Sequence, residues 1–142
     1  MSKLIASVVS AVAALALAAA GGAAQIPLVP NLPPGWSHAE INVVVRHQPH
    51  TLTYDRGRVQ LVTASSLTLK ERDGTVWTIN ISPTATIKID GAPAQLSQVR
   101  PRETATTVAI DGGPAVNVKV QIPPALAAQI ARHQTTQRGP RR

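Results

Sequence analysis

From Arg58 to Val120 apolar and polar residues alternate with a period of two, in six short runs. Val59 and Leu61 share one face, and Leu67 and Leu69 repeat the pattern. Trp77, Ile79 and Ile81 oppose Thr78 and Asn80. Ala85, Ile87 and Ile89 follow, with Lys88 outward. Val108 and Ile110 make a fifth row; Val116, Val118 and Val120 make a sixth, with Asn117 and Lys119 outward. Such alternation predicts strands buried on one face only. Asp73-Gly74, Asp90-Gly91 and Asp111-Gly112 separate several of the runs. Asp-Gly tolerates the positive φ that tight hairpins demand and is the strongest short hairpin signal. The segments Ile89–Ala94 and Ile110–Ala115 are nearly the same hexapeptide. Two copies do not make a solenoid, and the plainer reading is one turn solution used twice.

Between those copies, Gln95 to Val99 predicts one helical turn that plugs a barrel end with Leu96 and Val99, stopped by Pro101. Ahead of the alternating core, Ile41 to Val45 is a strand candidate. A loop through His47, Gln48, Pro49 and His50 follows, then an extended piece from Thr51 to Tyr54. Asp55-Arg56-Gly57 reads as the break before the core. With no phenylalanine in the chain, the core is thin for its size. Ile41, Val43, Val45, Leu52 and Tyr54 are therefore expected to pack on the barrel and cover an edge. After Pro123-Pro124, Ala125 to His133 predicts a short helix with Leu126 and Ile130 on one side, and Gln134 to Arg142 a disordered tail.

The expected class is all-β: a small antiparallel barrel of five or six strands, flanked by an N-terminal signal helix and a short C-terminal helix. The signal reading rests on Lys3, an uncharged and proline-free run from Leu4 to Ala20, and small residues through Ala24. The alternative is an uncleaved membrane anchor, which the alanine-rich composition disfavours. The organisation is then residues 1–24 signal peptide, 25–40 proline-rich leader, 41–122 barrel domain with its core at 57–120, and 123–142 helix and basic tail. Export to the cell envelope or beyond follows. The chain has no cysteine, which excludes disulfide staples, a thiol nucleophile and thiolate metal sites.

Residues 57–120 carry Gly57-Arg58-Val59, Ser66-Leu67-Thr68-Leu69, Asp73-Gly74-Thr75, and Asp90-Gly91 leading to Ala94 and Leu96. In these landmarks the segment resembles the small secreted β-barrel domain of unknown function common in envelope proteins of high-GC bacteria. The resemblance covers about half the chain and implies an oligonucleotide-fold-like barrel, with no activity and no site residues attached. One departure is visible. Family members usually place glycine in the turn after the helical plug, whereas this chain has Pro101-Arg102-Glu103.

The formal net charge is +7, with Arg132, Arg138, Arg141 and Arg142 crowding the C-terminus. A basic balance suits weak attraction to anionic polymers. Lys70, Lys88, Arg100, Arg102 and Lys119, with Arg138, Arg141 and Arg142 of the tail, are the candidate polyanion-binding residues. A solvated outer face is the plainer reading, because outward lysines also protect strand edges. Nucleic acid is not an expected partner, since only Trp36, Trp77 and Tyr54 offer aromatic faces for stacking. The densest polar cluster is His38, Glu40, His47, His50 and Asp55. His47 and His50 have a His-x-x-His spacing that binds zinc only where the rings converge, and Pro49 argues against a helix there. No nucleophile elbow and no carboxylate pair stands out, and Asp73, Asp90 and Asp111 are accounted for by turns. The expectation is a non-enzymatic module with no cofactor, binding an unknown envelope or extracellular ligand. A polyanion binder is the alternative. Contact with a membrane is expected only through an uncleaved signal segment.

Overall fold

The computed structural model describes residues 32–137. Seven strands, one 3-10 turn and one helix follow in order: β1 His38–Val45, β2 Gln48–Val62, β3 Ser66–Lys70, β4 Val76–Ile89, β5 Ala92–Ala94, the 3-10 turn Leu96–Gln98, β6 Thr104–Ile110, β7 Ala115–Gln121 and α1 Pro124–Gln137. The sheet runs β1-β2-β3-β4-β7-β6, and β6 returns to pair with β2. Five strands thereby close on themselves, as the alternation predicts. β1 lies outside the ring, against the first half of β2, and β5 pairs with the end of β4. All pairings are antiparallel except β4 with β7. Between β5 and β6, Leu96 of the 3-10 turn packs against the barrel core and Val99 just after it is part of that core.

Residues Val59, Leu67, Leu69, Ile81, Val99, Ala105, Ala115, Val118 and Val120 are the buried centre of the barrel. Ala85, Ile87 and Ile89 pack against them. A second cluster forms on the opposite face of β2 and β6. There Leu52, Tyr54 and Val108 are buried with Ile41, Val43, Ala39, Trp36 and Ile110 around them. The early strand residues do add apolar cover, as expected for Ile41, Val43, Leu52 and Tyr54, whereas Val45, half-buried at the hairpin end, does not join the cluster.

The backbone departs from the sequence expectation at several places, among them a register shift in β4 between Ile81 and Thr86. No break occurs at Asp55-Arg56-Gly57: β2 runs through it as one strand. The first barrel strand therefore begins ahead of Gly57. No open loop separates β1 from β2 either. Arg46 and His47 both take positive φ (50° and 64°) in a two-residue turn, and Gln48 and Pro49 already pair with Val45 and Val44. Positive φ at both central positions is the primed hairpin geometry, whose twist matches that of the strands. A bulge at Gln60 shifts Leu61 opposite Thr68, so Leu61 faces solvent while Val59 stays inside. A second bulge at Val116 brings Ala115 inward in its place. On β6, Val108 and Ile110 belong to the outer cluster, and Ala105 lies in the barrel centre.

The expected Asp-Gly turns are present, with Asp90 and Gly91 at φ 48° and 85° and Asp111 and Gly112 at 51° and 72°. The carboxylates of these turns also tie the fold together. Asp90 accepts from the Ile122 N–H (3.1 Å), and Asp111 accepts from the Thr51 N–H (2.8 Å) and the His50 ring (2.7 Å). At Arg100–Glu103, Arg102 occupies φ 77°. Its N–H donates to the Val59 carbonyl, and Glu103 is buried with its carboxylate accepting from the Arg100 N–H. These bonds hold an arginine where glycine would be unstrained.

The C-terminal helix extends past His133 to Gln137 and is mostly exposed, so part of the expected tail is helical. The expected signal segment and Arg138, Arg141 and Arg142 lie outside the described residues. Among the described residues no helix is long and apolar enough to cross a membrane.

Two substitutions test this description by calorimetry. Arg102→Gly relieves a left-handed conformation worth about 1–2 kcal/mol, partly offset by the greater entropy of unfolded glycine. Its Tm should rise by a few degrees; a fall would show that the arginine is unstrained. At Gly57 an added Cβ would lie 2.8 Å from the Lys70 carbonyl oxygen. Gly57→Ala must push β2 from β3 and should cost about 1–3 kcal/mol.

Candidate functional site

Two grooves are lined in part by β2 and its neighbours. The first, about 640 Å³, is lined by Trp36, Arg56, Arg58, Lys70 and Arg72, together with Gly35, Gly57, Gln60, Glu71 and Thr104. Local sequence explains how this wall is built. Pro34-Gly35 makes a turn with Gly35 at φ 88°, which delivers Trp36 back over β2. The Ser37 carbonyl then accepts from the Arg56 N–H at 2.6 Å, and the Arg56 guanidinium lies 5.9 Å from the Trp36 ring centre. Arg56 and Arg58 are two residues apart in β2 and so share a face. Lys70 is the direct cross-strand partner of Arg58. The Arg72 guanidinium fills the space a side chain at Gly35 would need, 2.7 Å from that position.

Like charges placed opposite each other destabilise a sheet, and among the described residues no ion pair engages these four cations. The ion pairs among the described residues join His38 to Asp55, His38 to Glu40, and His50 to Asp111. None engages Arg56, Arg58, Lys70 or Arg72.

The second groove, about 410 Å³, is lined by His38, Thr53, Asp55, Trp77, Ile79 and the Gly112–Pro114 turn, among others. Trp77, expected on the inward face, is instead 52% exposed at this opening. Between the two grooves stands a compact polar group. The His38 ring Nδ1 lies 2.7 Å from Asp55 Oδ1. Glu71, just past β3, brings a carboxylate oxygen to the pair, and one donor atom from each of the three residues lies within 4.8 Å of the others. Glu71 is only 7% exposed, and its Oε1 has no hydrogen-bond partner. Burial pushes its carboxyl above the ordinary range, a hydrogen bond with Ser37 works against that, and Asp73 and Asp55 add to the rise. By contrast, Asp73 is held low by the backbone N–H of Thr75, and Asp111 by the hydrogen bond from His50.

The residues singled out from the sequence scatter. Lys70 lines the basic groove. Lys88 and Lys119 face each other across β4 and β7, and Arg100 and Arg102 sit in the turn behind the plug. His47 is at the tip of the first hairpin, and His50 is engaged with Asp111. Neither joins a group of three ligand-type residues among those described. The extended geometry of Gln48 to His50 keeps the two rings from closing on one ion. The sequence reading missed Arg56, Arg58, Arg72 and Trp36, although Arg-Gly-Arg spacing in a continuous strand would have paired the first two. It also missed Glu71, which looks like one more residue of the Arg72-Asp73-Gly74 turn.

No family model, no curated protein and no solved structure matches this chain.

The buried carboxyl makes a prediction about pH. A carboxyl with a raised folded-state value penalises folding once pH exceeds its unfolded value of 4.5. That penalty grows until pH passes the folded value and is absent in acid. In chelator-containing buffer, Glu71→Gln should therefore melt higher than the parent at neutral pH, with the difference shrinking toward pH 4.5. A pH-independent difference would contradict the assignment.

Proposed function

We propose that this barrel is a non-enzymatic binding module for an anionic polymer, held in the groove of Trp36, Arg56, Arg58, Lys70 and Arg72. The observation that carries the reading is the gathering of these four cations, none in an ion pair among the described residues, along one open groove beside an aromatic face. Holding like charges together costs stability, and an anionic ligand converts that cost into affinity by releasing its counterions. The Trp36 indole, already beside a guanidinium, supplies an apolar and polarisable surface for sugar or linker groups of such a polymer. The signal-like N-terminus supports an exported protein, for which anionic envelope polymers are the accessible ligands. Membership of the envelope barrel family stays part of this proposal, supported by the closed five-strand ring and its turns. The basic pair Lys88 and Lys119 and the arginines of the tail have a secondary, steering role.

Binding of inorganic polyphosphate to the full chain, titrated at several salt concentrations, tests the reading. The triple variant Arg56→Gln, Arg58→Gln, Lys70→Gln should flatten the slope of log K against log salt by about two to three. Lys88→Gln with Lys119→Gln should leave most of it. A groove variant that binds like the parent, or a loss confined to Arg138→Gln, Arg141→Gln, Arg142→Gln, would overturn the groove assignment and leave the tail as the binder.

A further inference from the structure

We propose that His38, Asp55 and Glu71 form a binding site for one divalent cation of the zinc class. The site is built from three different chain segments: β1, β2 and the turn after β3. Two facts point to an ion rather than to an ordinary surface cluster. The first is convergence: an imidazole nitrogen and two carboxylate oxygens lie within 4.8 Å of one another. The second is the orphan: Glu71 is more than nine-tenths buried, and one oxygen has no partner at all. Buried polar atoms are almost always satisfied, so an unpartnered carboxylate oxygen beside a histidine calls for a missing cation.

The chemistry of the donors selects the ion. An imidazole with two carboxylates suits zinc and its neighbours, whereas magnesium and calcium prefer all-oxygen shells. Zinc bonds of about 2.0–2.2 Å place tetrahedral donors roughly 3.3–3.6 Å apart. To reach that spacing the His38–Asp55 pair, now at 2.7 Å, opens by under an ångström, while donors as far apart as 4.8 Å close by about one. Two carboxylates neutralise the ion's charge. The ion takes the place of the proton between His38 Nδ1 and Asp55 Oδ1. The ring proton then resides on Nε2, the side where Glu40 stands 3.9 Å away. A carboxylate behind the ligating ring is the usual outer partner of a metal-bound histidine. The site shares Glu71 with the lining of the basic groove but takes a cation rather than an anion, and its test does not depend on polymer binding.

Untagged full-length protein, stripped with chelator and dialysed, would be titrated calorimetrically with zinc chloride alone and melted with and without it. The expected result is one ion per chain and a Tm rise of about 10 °C or more at a hundredfold excess over Kd. Asp55→Asn and Glu71→Gln should each weaken binding by about a hundredfold or more, while His50→Gln and His47→Gln should not change it. If Glu71→Gln fails to fold, Asp55→Asn and the 15N shift of the His38 ring in the parent carry the test. Absence of stoichiometric binding, binding retained in both carboxylate variants, or loss in the His50 or His47 variant would overturn the site. Equal binding of magnesium would overturn its assignment to the zinc class.

Discussion

Everything in this structure hangs on β2, a single strand of fifteen residues that serves two cores with its two faces. One face contributes Val59 to the barrel centre; the other contributes Leu52 and Tyr54 to the outer cluster. Its register with β6 closes the ring, its register with β1 adds the outer hairpin, and its register with β3 sets the grooves. The strand can do all this because Gly57 has no side chain where β3 comes closest. Glycine weakens a strand interior in general; here it permits the approach that brings Arg58 against Lys70 and Glu71 toward Asp55.

This double duty also explains a fold so poor in aromatic residues. A barrel of this length buries few large side chains, and no disulfide is available to it. The second cluster supplements the first, and tight polar links replace the missing apolar weight at the seams. Asp111 joins the β6–β7 turn to β2, Asp90 joins the β4–β5 turn to the end of β7, and Glu103 clamps the turn behind the plug. Each link satisfies backbone groups that a short strand end would otherwise leave to water.

Much of the fold was legible in the residues because alternation and turn chemistry agree over most of the chain. Leu67, Leu69, Ile81, Val118 and Val120 are buried as their spacing implies, and two Asp-Gly pairs adopt the left-handed turns they favour. The misplaced residues have specific causes. Leu61 and Val116 stand in perfect alternation in the sequence, but bulges insert a residue of backbone without leaving any mark in the letters. Asp55-Arg56-Gly57 has the composition of a turn and the conformation of a strand, because its glycine serves a close approach instead of a bend. That one misreading concealed Arg56-Arg58, whereas His38 and Asp55 already stood together in the densest polar cluster of the sequence. The candidate site depends on the register of two successive hairpins, β1–β2 and β2–β3, the second carrying a bulge, and that register has no mark in the local alternation.

The positions of Trp36 and Trp77 have a further consequence. One indole stands against a guanidinium in the basic groove, and the other opens onto the groove beside His38 and Asp55. Neither is part of the barrel centre: Trp77 is half exposed, and Trp36 lies at the rim of the outer cluster, so each senses its groove as well as the fold. The protein thus carries two optical gauges, one per groove, and single replacement of either tryptophan leaves a chain whose remaining fluorescence watches one groove alone.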